Sequence, residues 1–177
     1  MNFLRKTVGL LDGISEWTGR VVSWCVFGLV LITAWDVFAR YVFHSGSVAV
    51  QELEWHIFSV TFLLAAGYTL KHDAHVRVDI VYARLGAKAK ALVDFAGSLL
   101  FLIPFCALVV YSSLGFVESS WAVREGSGDP GGLPARYALK AMIPLGFSLL
   151  LLQGVSMALS SLTRIFTVSE DMEGGRR

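Results

Sequence analysis

The ionisable residues that could do chemistry in this 177-residue chain stand in two short, neighbouring segments. Asp36 and Arg40 are four residues apart, which places them on one face of a helix, where each charge can neutralise the other. Glu52 and Glu54 follow after a short connection, so Arg40 could reach either carboxylate across a hairpin. The pattern predicts an ion-pair clasp between two helices or toward a partner subunit. A proton or ion path is the alternative use of the same groups.

The histidines suggest a different chemistry. Four-helix membrane anchors can hold haem through paired histidines on facing helices. His44 and His56 stand near one end of the predicted bundle, and His72 and His75 stand near the other end. All four lie at or beyond the edge of the apolar runs, so a haem-binding anchor of a respiratory complex is kept only as the alternative function. With no CxxC pair, Ser/His/Asp set or phosphate-binding glycine loop, we predict no catalytic, substrate-binding or metal-binding residue and no cofactor.

The elements that position these residues follow from composition. Hydrophobic residues make up 55% of the chain and charged residues 16%, with a mean hydropathy of +0.61, whereas soluble domains carry roughly 25% charge. The apolar residues cluster in runs close to the ~20 residues that cross a bilayer. We predict an all-α, single-domain membrane protein over residues 1–177. Its predicted transmembrane helices are 21–43, 49–70, 91–114 and 140–163.

Three segments lie outside these spans. Residues 2–18 carry apolar side chains at helical spacing and predict an amphipathic interfacial helix on the lipid surface, with a bend at Gly19. A plain extension of the first span is the alternative. Residues 118–139 predict an irregular, Gly- and Pro-rich periplasmic loop that either contacts a partner or is merely flexible. Residues 168–177 predict a disordered tail.

The distribution of Lys and Arg predicts the orientation. Eleven of these cations fall on the side of the termini and of the second connection, and four fall on the opposite side. The positive-inside rule then puts both termini in the cytoplasm. A net charge of +1 provides no basic field for nucleic acid, so the expected surroundings are membrane lipids.

The middle of each predicted span lacks Asp, Glu, Lys, Arg and His. Transport sites usually lie near the midplane, at broken helices lined by polar or charged groups. Only Gln153 approaches this description, and a single amide usually makes a hydrogen bond between helices. Pro104 and Pro144 could kink their helices without creating a polar site. We therefore expect an accessory membrane subunit rather than a transporter in its own right.

Several motifs resemble one known family. They are Asp36-Val-Phe-Ala-Arg40-Tyr-Val-Phe43, Glu52 with the pair Glu54-Trp55, the segment from Gly67 to Asp79 with its HxRxD pattern, and Gly128–Arg136. Their order and spacing, over about residues 20–160, are similar to those of the small membrane subunit, DctQ, of tripartite ATP-independent periplasmic (TRAP) transporters.

The resemblance implies a non-catalytic scaffold in a bacterial or archaeal cytoplasmic (inner) membrane. Its implied partners are a large multi-span permease (DctM-like), which carries the substrate and sodium sites, and a periplasmic binding protein (DctP-like), which delivers an organic anion. The resemblance also implies roles for three residue sets. Asp36, Arg40, Glu52 and Glu54 would hold the outer ends together or face the large subunit; His75, Arg77 and Asp79 would brace the cytoplasmic turn; Asp129, Pro130, Leu133 and Arg136 would help dock the binding protein.

Overall fold

The computed structural model describes residues 2–72 and 82–174, and within these ranges the chain is helical with connecting loops and no strand. Four helices within these ranges are long and apolar enough to cross a membrane, which confirms the predicted all-α membrane architecture. The helices are α1, Asn2–Val42; α2, Val48–Lys71; α3, which consists of Ala87–Gly97, a π-helical turn Ser98–Leu102 and Ile103–Ala122; and α4, Arg136–Gly174.

The last helix organises the bundle, because α4 packs against α1, α2 and α3, while α1 also packs against α2. Loops 43–47 and 123–135 lie at the end of the bundle that we call the outer end. The start of α1, the end of α2, the start of α3 and the C-terminal part of α4 lie at the opposite, inner end. A contact at each end fixes this arrangement: Glu52 meets Ser127 at the outer end, and Lys71 meets Glu16 at the inner end.

Glycines allow the helix backbones to approach closely at two crossings. At Gly146 of α4, a Cβ atom would lie 2.7 Å from the carbonyl oxygen of Leu63 in α2. At Gly19 of α1, a Cβ atom would lie 2.1 Å from Cδ2 of the Tyr68 ring. Small residues serve this purpose in membrane bundles, where close van der Waals packing replaces the hydrophobic effect between helices.

A local irregularity in α3 has a covalent cause. Pro104 has no N–H to offer the carbonyl of Leu100, and its ring would collide with that carbonyl in a regular α-helix. The helix widens into the π-helical turn Ser98–Leu102 just before the proline, which is a known way to absorb such a fault. In α4, the helix continues past Pro144, whose carbonyl accepts a hydrogen bond from Ser148 Oγ at 2.7 Å.

The helix ends differ from the sequence-based boundaries. Helix α1 runs without interruption through Gly19, so residues 2–18 and the first predicted span form one continuous helix. Helix α3 continues to Ala122 and α4 begins at Arg136, which shortens the loop predicted at 118–139. Helix α4 also includes residues 168–174, predicted to be disordered. No proline or glycine stops the chain between 164 and 173.

The outer surface of the bundle is apolar, as a lipid-facing surface should be. Along α1 it exposes large side chains over several helical turns, and α2 and α3 expose further aromatic residues. Polar residues, by contrast, are frequent among the buried positions. Soluble proteins show the reverse distribution, with apolar residues inside and polar residues outside. The distribution seen here fits a chain surrounded by hydrocarbon. Exposed residues on α1 include Trp24, Phe27, Val30, Leu31, Trp35, Phe38 and Tyr41.

Candidate functional site

Glu52, at the start of α2, is the centre of a polar cluster at the outer end. Only 4% of the residue is exposed. Its carboxylate accepts hydrogen bonds from Ser127 Oγ, from the backbone N–H of Leu133 at 2.5 Å and from the Arg136 guanidinium at 3.3 Å. The side chain of Glu52 thereby connects α2 both to the loop before α4 and to the first residue of α4.

Arg136 is the cation of this cluster. Its guanidinium pairs with Glu52 and lies 5.8 Å from the ring centroid of Trp55, a distance at which cation–π attraction acts. Arg40, which the sequence suggested as the partner of Glu52 or Glu54, pairs instead with Asp36 inside α1. The predicted clasp between α1 and α2 is not formed among the described residues, since the ion pair of Glu52 joins α2 to α4. A contact of these groups with a partner subunit stays a prediction.

A second carboxylate, that of Glu125, fixes the beginning of the same loop. Glu125 accepts hydrogen bonds from Lys140 Nζ at 2.5 Å and from Ser120 Oγ at 2.6 Å. The bond from Lys140, supported by that from Ser120, holds the pKa of Glu125 below its ordinary value of 4.5. Because Lys140 stands on α4 and Ser120 on α3, Glu125 links these two helices through the loop.

The loop between these anchors is folded back sharply. Arg124, Gly131 and Ala135 have positive φ angles of 49°, 81° and 66°, a conformation that costs non-glycine residues energy and needs support from the surroundings. Backbone hydrogen bonds supply part of that support, from Ser127 N to Leu133 O at 2.9 Å and from Arg136 N to Glu125 O at 2.8 Å. The loop is therefore a shaped element.

The four loop residues singled out for partner contact separate into two pairs. Asp129 and Pro130 are exposed at the tip of the loop, whereas Leu133 and Arg136 are half-buried at its base. The backbone of Leu133 and the side chain of Arg136 are both bound to Glu52. Of these four residues, Asp129 and Pro130 are therefore the two that are exposed to another molecule.

Asp36 lies apart from the Glu52 cluster, although both are acidic groups of the outer end. It is 4% exposed and pairs with Arg40, whose side chain is 48% exposed. Asp36 also lines a small cavity of about 200 Å³ with Ser45 and Ser47, beside the N-terminus of α2. A carboxylate there is favoured by the positive end of the helix dipole.

The remaining groups near this end make few polar contacts. The Oε1 atom of Glu54 and the Nε2 atom of His56 are buried without a hydrogen-bond partner among the described residues. His56 Nδ1 lies 2.6 Å from the carbonyl oxygen of Glu52 one turn earlier. His44 is exposed in the first loop, with φ 49°. The sequence-predicted set His75, Arg77 and Asp79 lies outside the described residues.

A polar network at the inner half of the bundle was missed by sequence reasoning. Asp12 Oδ1 accepts hydrogen bonds from Gln153 Nε2 at 3.0 Å and from Ser156 Oγ at 2.6 Å. Ser15 Oγ donates to Gln153 Oε1 at 2.6 Å. The predicted role of Gln153 in helix packing is confirmed. Asp12, in contrast, binds α4, a contact that the sequence did not predict. The signal available in the sequence was that Asp12 and Ser15 are three residues apart, which places both on one face of a helix.

A salt bridge closes the inner end beside this network. Glu16 lies 2.7 Å from Lys71 Nζ and 3.1 Å from His72 Nε2, which joins the first turns of α1 to the end of α2. No group of three or more His, Cys, Asp or Glu residues arranged for a metal ion occurs within residues 2–72 and 82–174.

Comparison with known families agrees with these features. Residues 29–164 match the family model described as the DctQ component of tripartite ATP-independent periplasmic transporters. A comparison with curated proteins gives no match. The family match runs from the middle of α1 to the inner part of α4 and includes both anchors of the outer loop. It does not support the alternative of a haem-binding respiratory anchor. Because the match covers about three quarters of the chain, the chain belongs to the DctQ family and is a non-catalytic component of a TRAP transporter.

Proposed function

We propose that this chain is a rigid scaffold for the large, DctM-like permease subunit of its transporter. The large subunit would carry an organic anion into the cell together with sodium ions, after a DctP-like periplasmic protein delivers the anion. The observation that carries the proposal is that both buried carboxylates of the outer end are bound to cations of the same chain. Asp36 is bound to Arg40 within α1 and Glu52 to Arg136 of α4, so both charges are paired inside the chain, and Glu52 also holds the outer loop in place.

We infer the orientation from charge. The inner end carries the excess of Lys and Arg, so it faces the cytoplasm of a bacterial or archaeal cell, and the outer end faces the periplasm. The exposed loop tip, with Asp129 and Pro130, is then the part of this chain that meets the binding protein. Leu133 and Arg136 support that tip from below by their bonds to Glu52.

The N-terminal part of α1 fits a membrane anchor for this scaffold. Leu10, Ile14 and Trp17 are exposed on one side, while Asp12 and Ser15 bind α4 on the other. The apolar side therefore contacts lipid, as in a helix lying on the bilayer surface, whereas the polar side contacts protein instead of water and headgroups. His75, Arg77 and Asp79 would brace the turn that leads from α2 to α3.

Reconstitution tests the proposal. Proteoliposomes would contain this chain, the large subunit of the same transporter, or both, with the cognate binding protein outside. Uptake would be measured with labelled succinate, lactate and gluconate under an inward sodium gradient. We expect sodium-dependent uptake of at least one anion when both membrane subunits are present and none with this chain alone. Uptake by this chain alone would refute the scaffold role.

A further inference from the structure

A polar cavity of about 300 Å³ opens between the helices at the inner end, separate from the outer-end cluster. All four helices contribute to its wall. Four charged residues line it, two acidic and two basic, together with hydroxyl groups of α4. These residues are Asp12, Lys71, Asp94 and Arg164, with Ser156, Ser160 and Ser161.

Two polar side chains in this wall have no ion-pair or hydrogen-bond partner for their charged or hydroxyl group among the described residues. Arg164 makes no ion pair with any described residue. Ser161 is only 2% exposed, lines the cavity, and forms no hydrogen bond through its hydroxyl with the described residues. Lys71, in contrast, is bound to Glu16. A buried polar group is usually satisfied, so the cavity offers a donor from Ser161 and a cation from Arg164 to a ligand.

The carboxylate of Asp94 can accept more hydrogen bonds than it receives from the described residues. Asp94 Oδ2 accepts a hydrogen bond from Tyr82 Oη at 2.8 Å, and Oδ1 has no partner among the described residues. Asp94 and Arg164 also line an adjoining cavity of about 240 Å³, together with Lys90. The two residues therefore stand where the cavities meet, and they present one negative and one positive charge to the same space.

The depth of the cavity places it at the edge of the bilayer. Lys71 is the last residue of α2, Asp94 stands two turns into α3, and Arg164 is near the end of the apolar part of α4. Charged residues at such positions meet lipid headgroups. Basic pockets between transmembrane helices at this level are known to hold phosphorylated headgroups.

We propose that this inner cavity binds the phosphoethanolamine headgroup of a membrane aminophospholipid. Arg164 and Ser161 face the phosphate, and Asp94 faces the ammonium group. A purely anionic headgroup carries no positive group of its own to place against the carboxylates of Asp94 and Asp12. A choline headgroup carries the positive charge but no N–H, so it cannot donate a hydrogen bond to Asp94.

Native mass spectrometry of the full-length chain tests the site. The delipidated protein would receive equal amounts of dioleoyl phosphatidylethanolamine, phosphatidylcholine or phosphatidylglycerol. We expect one phosphatidylethanolamine per chain, with affinity roughly tenfold above that of the other two lipids, because neither of them can donate a charge-assisted hydrogen bond to Asp94. Equal binding of the three lipids, or a preference for phosphatidylglycerol, would overturn the proposal.

Variants assign the binding to this cavity. Arg164→Gln should reduce phosphatidylethanolamine binding to the level of phosphatidylcholine, and Ser161→Ala should weaken it severalfold with little effect on folding. Arg124→Gln removes an exposed arginine of the outer loop and should change nothing. Wild-type binding by both cavity variants would overturn the proposal. An excess of soluble glycerophosphoethanolamine should not displace the lipid; displacement would assign the site to a free phosphoethanolamine compound instead.

Discussion

At Glu52, a single buried carboxylate receives donors from the outer loop and from the start of α4. Hydrogen bonds to a charged acceptor contribute more than neutral ones, and an unpaired buried charge is costly. The outer end should therefore depend on this one residue far more than on its neighbour Glu54, whose Oε1 atom has no partner among the described residues.

Glu52→Gln should lower the stability of the chain, because the amide loses the charge that Arg136 needs and offers an N–H where donors already point. The apparent melting temperature of the detergent-purified protein measures the effect, with Glu54→Gln as the matched control. We expect a fall of several degrees for the first variant and no fall for the second. Equal melting temperatures for the two variants would argue against the cluster.

Glu125 should give the outer loop a dependence on acid. Its pKa is held below 4.5 by Lys140 in the folded protein, so the ionised form contributes stability at pH values above 4.5. That contribution is lost as the pH falls through the lowered pKa. Melting temperatures between pH 6 and pH 3 should decline more steeply for the wild type than for Glu125→Gln. Parallel profiles would contradict the pairing.

Sequence alone identified the charged residues of the outer end but not all of their partners. Asp36 and Arg40 are one helical turn apart, and this local pair was predictable. The partner of Glu52 was not, because Arg136 lies 84 residues away and reaches Glu52 only after the loop folds back. The spacing of hydrophobic residues does not describe such a loop, whose path depends on positive φ angles at Arg124 and Ala135.

At the scale of the helices, the contact of α2 with α4 depends on Gly146. Alanine there would place a methyl group 2.7 Å from the Leu63 carbonyl oxygen, and overpacking of this kind costs roughly 1–3 kcal/mol. Gly146→Ala should lower the melting temperature, whereas Gly115→Ala, at a helical glycine of α3 with no atom within 4 Å of the added group, should not. A harmless Gly146→Ala would show that the two helices are not in close contact.

The apolar runs located the four helices but not their ends. Helix α3 extends beyond the predicted residue 114 to Ala122. The serines of this stretch satisfy their hydroxyls within the helix, as Ser119 Oγ does by donating to the carbonyl of Gly115 at 2.7 Å, so a polar stretch that hydropathy excludes from the span remains helical. Gly19 looked like a hinge, yet it serves contact with Tyr68, which only the packed structure reveals.

For the whole molecule, the inner network changes the view of the N-terminus. Asp12 and Gln153 are 141 residues apart, and their hydrogen bond makes the first turns of α1 part of the bundle. Together with the Glu16–Lys71 pair at the inner end and the Glu52–Arg136 pair at the outer end, it joins α1, α2 and α4 into one body. A body tied at both ends suits a part that stays fixed while another subunit moves.

A cross-link that prevents internal motion tests this central claim most directly. A Cβ atom at Gly67 would lie 3.5 Å from Ser15 Oγ, so Ser15→Cys with Gly67→Cys can join α1 to α2 by a disulfide, with Cys25 and Cys106 replaced by alanine. Anion uptake by the complete transporter would be measured before and after oxidation, with the Ser15→Cys single variant as control. The account predicts that uptake by the cross-linked transporter stays within about twofold of the reduced rate. Loss of uptake on oxidation, restored by reduction, would contradict it.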